Sequence, residues 1–133
     1  MVVIFSNNVK NALEVYRKSL GNYPISRERA LKKFDNMISA LNNLGGSIST
    51  PPICMYKDLG QAFDVNGQPI YKNLKRFNYK DESGFQWAFA CLYNDSADRI
   101  TIVKMMAASQ VKEEIFKQVE LVLELWDRMK KIV

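Results

Sequence analysis

Apolar and polar residues follow more than one rhythm along this chain, and each rhythm predicts a different element. Val2-Val3-Ile4-Phe5 is a short run of strand-forming residues. Ser6, Asn7 and Asn8 follow, any of which can cap a helix. Val9, Ala12, Leu13, Tyr16 and Leu20 then recur at steps of three and four, which predicts a helix ending at Gly21, with Pro24 preventing its continuation. Ser26 is placed to cap a second helix. Its apolar face is Ala30, Leu31, Phe34, Met37, Ile38, Leu41 and Leu44, and Gly45-Gly46 stops it. Two helices joined by so short a break are expected to pack as a hairpin.

From Ser47 to Asn66 the pattern is irregular, broken by Pro51-Pro52 and Asn66-Gly67, with only Ile53–Tyr56 as a short extended piece. Ile70–Tyr79, Phe85–Tyr93 and Arg99–Met106 read as three strands. Asp81–Gly84 and Asn94–Asp98 separate them as hairpin loops, so the three form an antiparallel meander. A long helix over residues 109–132 is predicted next, capped by Ser109. Its stripe is Ile115, Val119, Val122, Trp126, Met129 and Val133, and its first turns carry Glu113 and Glu114. That stripe serves as core or as the seam of a homodimer. The order predicts an α+β fold in one domain spanning residues 1–133, with helices laid against one face of a mostly antiparallel sheet.

Composition narrows the chemistry. The 133 residues are 47% hydrophobic and 25% charged, the balance of a globular domain that needs no staples. The chain contains no histidine, which excludes serine–histidine and cysteine–histidine nucleophile systems. Cys54 and Cys91 are too few for a structural zinc site and read as buried free thiols. No metal or cofactor is expected. No run is long or apolar enough for a bilayer, and the N-terminus lacks a basic leader, so no membrane association and a cytoplasmic location are expected. The net charge is +5, which suits an anionic partner. Residues 1–50 hold seven bases and three acids, whereas residues 108–133 hold five of each.

Basic residues crowd one strand: Lys72, Lys75, Arg76 and Lys80 fall in IYKNLKRFNYK without an acid among them. By strand alternation, Lys72, Arg76 and Lys80 share one parity, and Tyr71, Lys75, Phe77 and Tyr79 the other. If Phe77 faces the core, Lys72, Arg76 and Lys80 project together, about 7 Å apart at each two-residue step, close to the spacing of phosphates in a single strand. A solvated face with edge-protecting lysines fits the same residues. Cutting RNA without a metal requires a base for the 2′-hydroxyl, cations for the phosphorane and an acid for the leaving oxygen. Lys72, Lys75, Arg76, Lys80 and Lys104 are the candidate cations. Tyr79 or Tyr93 could relay a proton, and Asp81 or Glu82 could act as base. Arg27, Arg29, Lys32 and Lys33 form a second basic group on the helical hairpin, suited to solvation, nucleic acid or an acidic protein. Phe85, Trp87 and Phe89 share a parity and are expected in the core.

The element order and residue texture resemble the RelE/ParE family of bacterial toxins. VVIFSNNVKNALEVYRKSL resembles that family's opening strand and first helix, and SRERALKKFDNMISALNNLG its second helix with a glycine stop. IYKNLKRFNYKDESGFQWAFACLYND, followed by DRITIVKMM, resembles its core hairpins. The likeness covers roughly residues 1–107. It implies a toxin of a type II toxin–antitoxin system, an antitoxin protein as partner, and RNA or the ribosome as target of a metal-independent endoribonuclease. Lys72, Arg76, Lys80, Tyr79 and Lys104 are then the candidate catalytic residues. Where family members carry Arg or His after the last strand and a Tyr beyond it, this chain reads KMMAASQVKEEIF, and no tyrosine follows Tyr93. Other members poison gyrase without a catalytic set, so a non-enzymatic interaction or dimerisation module on the same fold is the alternative.

Overall fold

A computed structural model of the chain describes residues 2–22, 26–44, 53–94 and 98–119. Its elements are β1 (Val2–Phe5), α1 (Asn7–Leu20), α2 (Arg27–Asn42), β2 (Ile53–Phe63), β3 (Pro69–Lys80), β4 (Gln86–Asn94), β5 (Arg99–Ala107) and a one-turn α3 (Glu113–Phe116). Both long helices start where a serine hydroxyl can accept an orphan N–H. Ser6 accepts from Val9 N and Ser26 from Arg29 N. The five strands form one sheet in the order β1-β5-β4-β3-β2, an α+β arrangement. β2 to β5 run as an antiparallel meander, and β1 lies parallel to β5.

Each face of the sheet has its own core. On one face, Val9, Leu13, Tyr16 and Leu20 of α1 and Met37, Ala40 and Leu41 of α2 pack against Phe77, Tyr79, Phe89, Cys91, Ile100 and Ile102. On the other face, Leu59, Ala62, Tyr71, Leu74, Ala88, Ala90, Leu92 and Val103 gather around Phe116 and Val119. The second core exists because residues 108–119 cross that face as a strap. A 3₁₀ turn at Ala108–Gln110 leads to α3, and the strap then meets the end of β2, where Phe63 N donates to Lys117 O and Val119 N donates to Phe63 O.

The structure corrects three expectations. Residues 53–63 form a complete edge strand where an irregular stretch was expected beyond Tyr56. Register shifts at Met55/Lys57, Asp58/Gly60 and Gly60/Ala62 scramble its alternation, and only β3 pairs along its length, so its apolar pattern is weak. The helix predicted from Ser109 does not start there. Ser109 sits in the 3₁₀ turn, where no side chain caps, and Lys112 is extended before α3 begins. Burying Phe116 and Val119 and pairing with β2 outweigh helical propensity over this stretch. The remainder of the predicted 109–132 helix, with Val122 and Trp126 of its homodimer seam, lies outside the described residues, as does Gly45-Gly46. Phe89 is fully buried and Trp87 partly so, as expected, but Phe85 is 46% exposed at the strand entrance.

Candidate functional site

The strand rich in bases does not present them as one row. Asn73 adopts φ 61°, a left-handed conformation that asparagine tolerates, and β3 bulges there. Gly60 pairs with Leu74 and Ala62 with Tyr71, so Gln61 of β2 stands opposite both Lys72 and Asn73 of β3. Tyr71 and Leu74 therefore both face the second core despite opposite parity. Lys72 drops out of the row of Arg76 and Lys80 and is exposed on its own. This corrects the expected Lys72–Arg76–Lys80 track at its first member.

Lys75 and Tyr79 lie on the helix-side face. Lys75 Nζ donates to Asp58 Oδ2 at 3.0 Å and stands 5.5 Å from the centre of the Tyr93 ring. That hydrogen bond, aided by Gly60 N, holds the Asp58 carboxyl below its usual range. Tyr79 is buried in the core beneath the helices, and burial, then Asp81 and Glu82, push its hydroxyl up. Lys104 lies on the same face as Arg76, but its Nζ donates to the carbonyl oxygens of Ile115, at 2.6 Å, and Gln118. It ties the strap to the sheet by satisfying carbonyls at the end of α3. Lys80 is exposed at the end of the strand, four residues beyond Arg76. Asp81 spends one carboxylate oxygen on Ser83 N, Ser83 Oγ and Phe85 N, closing the β3–β4 turn.

On α2, Arg27, Arg29 and Lys32 are exposed. Lys33 Nζ reaches Ser83 Oγ at 3.3 Å and Asp81 at 3.9 Å, and Asn36 Nδ2 donates to Glu82 Oε1 at 3.0 Å. The basic helix is thus fastened to the β3–β4 turn.

Two members of the predicted set line cavities, Lys104, whose Nζ is taken up by the strap carbonyls, and Arg76. The Arg76 cavity, of about 450 Å³ and open to solvent, is lined by Tyr56, Arg76, Asn78, Gly84, Phe85, Gln86, Ala108 and Ser109. The Arg76 guanidinium lies over the Tyr56 ring, 4.1 Å from its centre, with the Phe116 ring at 5.8 Å. Arg76 Nε donates to Asn78 Oδ1 at 3.1 Å, and Asn78 Nδ2 in turn donates to Gln86 Oε1 at 3.4 Å. Tyr56 is the extra residue of the bulge opposite Phe77 and Arg76, which is why it leans over its neighbour's guanidinium, and it is 62% exposed. With Nε tied and one face stacked, the planar fork is held in one orientation. Its terminal nitrogens donate no hydrogen bond among the described residues. Such a group suits the oxygens of a phosphate.

Sequence reasoning missed Tyr56, Asn78, Gln86 and the strap. Asn78 carried a usable signal, two residues from Arg76 on the same side of a strand. The strap carried none, because its contacts with β2 join residues far apart in sequence. Among the described residues no three Asp, Glu or Cys form a metal-holding group, and no helix is long and apolar enough to cross a membrane. No protein-family model, curated protein or solved structure matches the chain.

Proposed function

We propose that the chain is the toxin component of a type II toxin–antitoxin pair, on a RelE/ParE-like scaffold, and that it holds single-stranded RNA over the strap-bearing face of its sheet. The observation that carries this reading is Arg76, a guanidinium oriented by Asn78 and Tyr56 with its fork turned to an open cavity. Phosphate fits the fork, and the outer face of Tyr56 offers a ring on which an unpaired base can stack. Lys80 lies further along the same strand for a neighbouring phosphate. The excess of bases on the helical hairpin adds long-range attraction without sequence preference. An antitoxin fits the same charge as an acidic protein covering these surfaces.

The test is binding of a labelled single-stranded RNA by fluorescence anisotropy, alongside growth after induced expression. The wild-type chain should bind and arrest growth. Arg76→Ala should weaken binding by about tenfold to a hundredfold, the worth of one charge-assisted contact of roughly 1.5–3 kcal/mol, and Arg76→Lys should restore it only in part. Normal growth with abundant folded protein, and no binding to single-stranded RNA, would refute the reading.

A further inference from the structure

Arg76 has a charged neighbour that bears on what happens to a bound phosphate. Lys57 of β2 is its cross-strand partner, so the two side chains leave the sheet side by side. Lys57 Nζ donates to Glu113 Oε1 at 2.5 Å, and the two side chains are 54% and 46% exposed. Glu113 reaches this position because the strap crosses the sheet here; no local pattern brings it near β2. The Lys57 hydrogen bond, then the charges of Lys57, Lys117 and Arg76, hold the Glu113 carboxyl below its usual range. A carboxylate, an ammonium in contact with it and a guanidinium beside them are the three parts that metal-free RNA cleavage requires.

Resting on the RNA reading above, we propose that Glu113 and Lys57 are the general base and general acid of RNA cleavage at the phosphate held by Arg76. Glu113 takes the proton from the 2′-hydroxyl. The 2′-oxygen bonds to phosphorus, and the bond from phosphorus to the 5′-oxygen breaks. The leaving oxygen takes a proton from the Lys57 ammonium. The products are a 2′,3′-cyclic phosphate and a 5′-hydroxyl end. The proton on Glu113 then passes to the neutral Lys57 amine through the hydrogen bond they share, which restores the starting state without a co-reactant. Both side chains are long and half exposed, so they can part around a phosphate whose oxygens replace Glu113 as the partner of Lys57. Neither residue belongs to the set that strand patterning singles out.

The test uses the full chain and an end-labelled RNA, alone and in a translating extract, with EDTA present throughout the RNA-only reactions. Wild type should yield cyclic-phosphate ends by mass spectrometry, and a 2′-deoxy nucleotide at the cut should abolish them. Glu113→Gln should keep RNA affinity within about twofold and lose about a hundredfold or more in cleavage rate, the usual worth of a general base. Lys57→Arg separates chemistry from structure. Arginine keeps the ion pair, the fold and RNA binding, but gives up no proton near neutral pH, so cleavage should fall comparably. Cleavage by Lys57→Arg at the wild-type rate overturns the proposal. So does a wild-type chain that binds RNA yet leaves it intact in both settings, while the RNA reading survives. A chain that neither binds RNA nor arrests growth removes both.

Discussion

Phe116 fastens the strap to the sheet, and its replacement by alanine measures how firmly. The side chain is 1% exposed and sits in the second core with Leu59, Leu74 and Val103. Phe→Ala at such a site costs roughly 3–5 kcal/mol, through lost transfer energy and the cavity left behind. For a chain of this size, 1 kcal/mol corresponds to about 4 °C in Tm, so the melt should fall by about 10–20 °C. Phe116→Leu keeps most of the volume and should cost only about 1 kcal/mol. Because the strap follows the last strand, part of the loss can appear as local opening. Amide exchange resolves this. Residues 113–119 should lose protection by at least about a hundredfold, the equivalent of roughly 3 kcal/mol. Arg76 loses a ring neighbour as well, so RNA affinity should fall with it. A melt within about 2 °C of wild type, with unchanged exchange over 113–119, would refute the docking of the strap and with it the position of Glu113.

Three further outcomes follow from the same contacts. Asp81→Ala removes an acceptor for two backbone N–H groups and a hydroxyl, and should cost about 1–2 kcal/mol in urea denaturation, while Asp81→Asn, which keeps an acceptor oxygen, should cost less. Native alkylation followed by intact-mass analysis should add one label, at the partly exposed Cys54, and a second only in denaturant, because burial removes Cys91 from solvent and pushes its thiol up. Asp58 has a depressed folded pKa, so its pairing with Lys75 contributes stability above the unfolded carboxylate value, lost as pH falls through the folded one. A melt series below about pH 4 should therefore show a loss that Asp58→Asn lacks, and a small one, because the Asp58 carboxylate is largely exposed.

The sequence made legible what short-range periodicity carries. α1 and α2 each bury one face at helical spacing, whereas β4 and β5 are buried towards both cores and read as nearly continuous apolar runs. β2 was illegible because it is an edge strand, paired along its length with β3 and meeting the strap only at Phe63, and it slips register repeatedly. Its turn was nevertheless written plainly. Asp64 accepts from Asn66 N and Gln68 N much as Asp81 accepts from Ser83 N and Phe85 N, and Gly67 and Gly84 both take positive φ. Asp-Val-Asn-Gly and Asp-Glu-Ser-Gly are one turn used twice, but only the second lies between two runs whose apolar pattern reads as strand. The row of cations failed at Asn73, where a single left-handed residue reverses every side chain before it. Arg76 was legible as a candidate, but its orientation came from Tyr56, brought over it by a bulge, and from Asn78.

The two basic groups, read separately along the chain, meet physically at the β3–β4 turn. On one side, the Asp81 carboxylate faces Lys33, and Glu82 accepts from Asn36, which holds α2 against the turn. On the other side, Gly84 and Phe85 form a wall of the Arg76 cavity. Arg27, Arg29 and Lys32 stand in or near the first turns of α2, where cations oppose the helix dipole by a few tenths of a kcal/mol each. That small cost is compatible with folding and leaves the bases on the outer surface. On the proposed RNA reading, the hairpin would supply the charge that attracts a polyanion from a distance, and Arg76 the oriented contact at the end of its approach. Lys75 and Lys104, held by Asp58 and by backbone carbonyls, serve the scaffold that keeps the two parts in register.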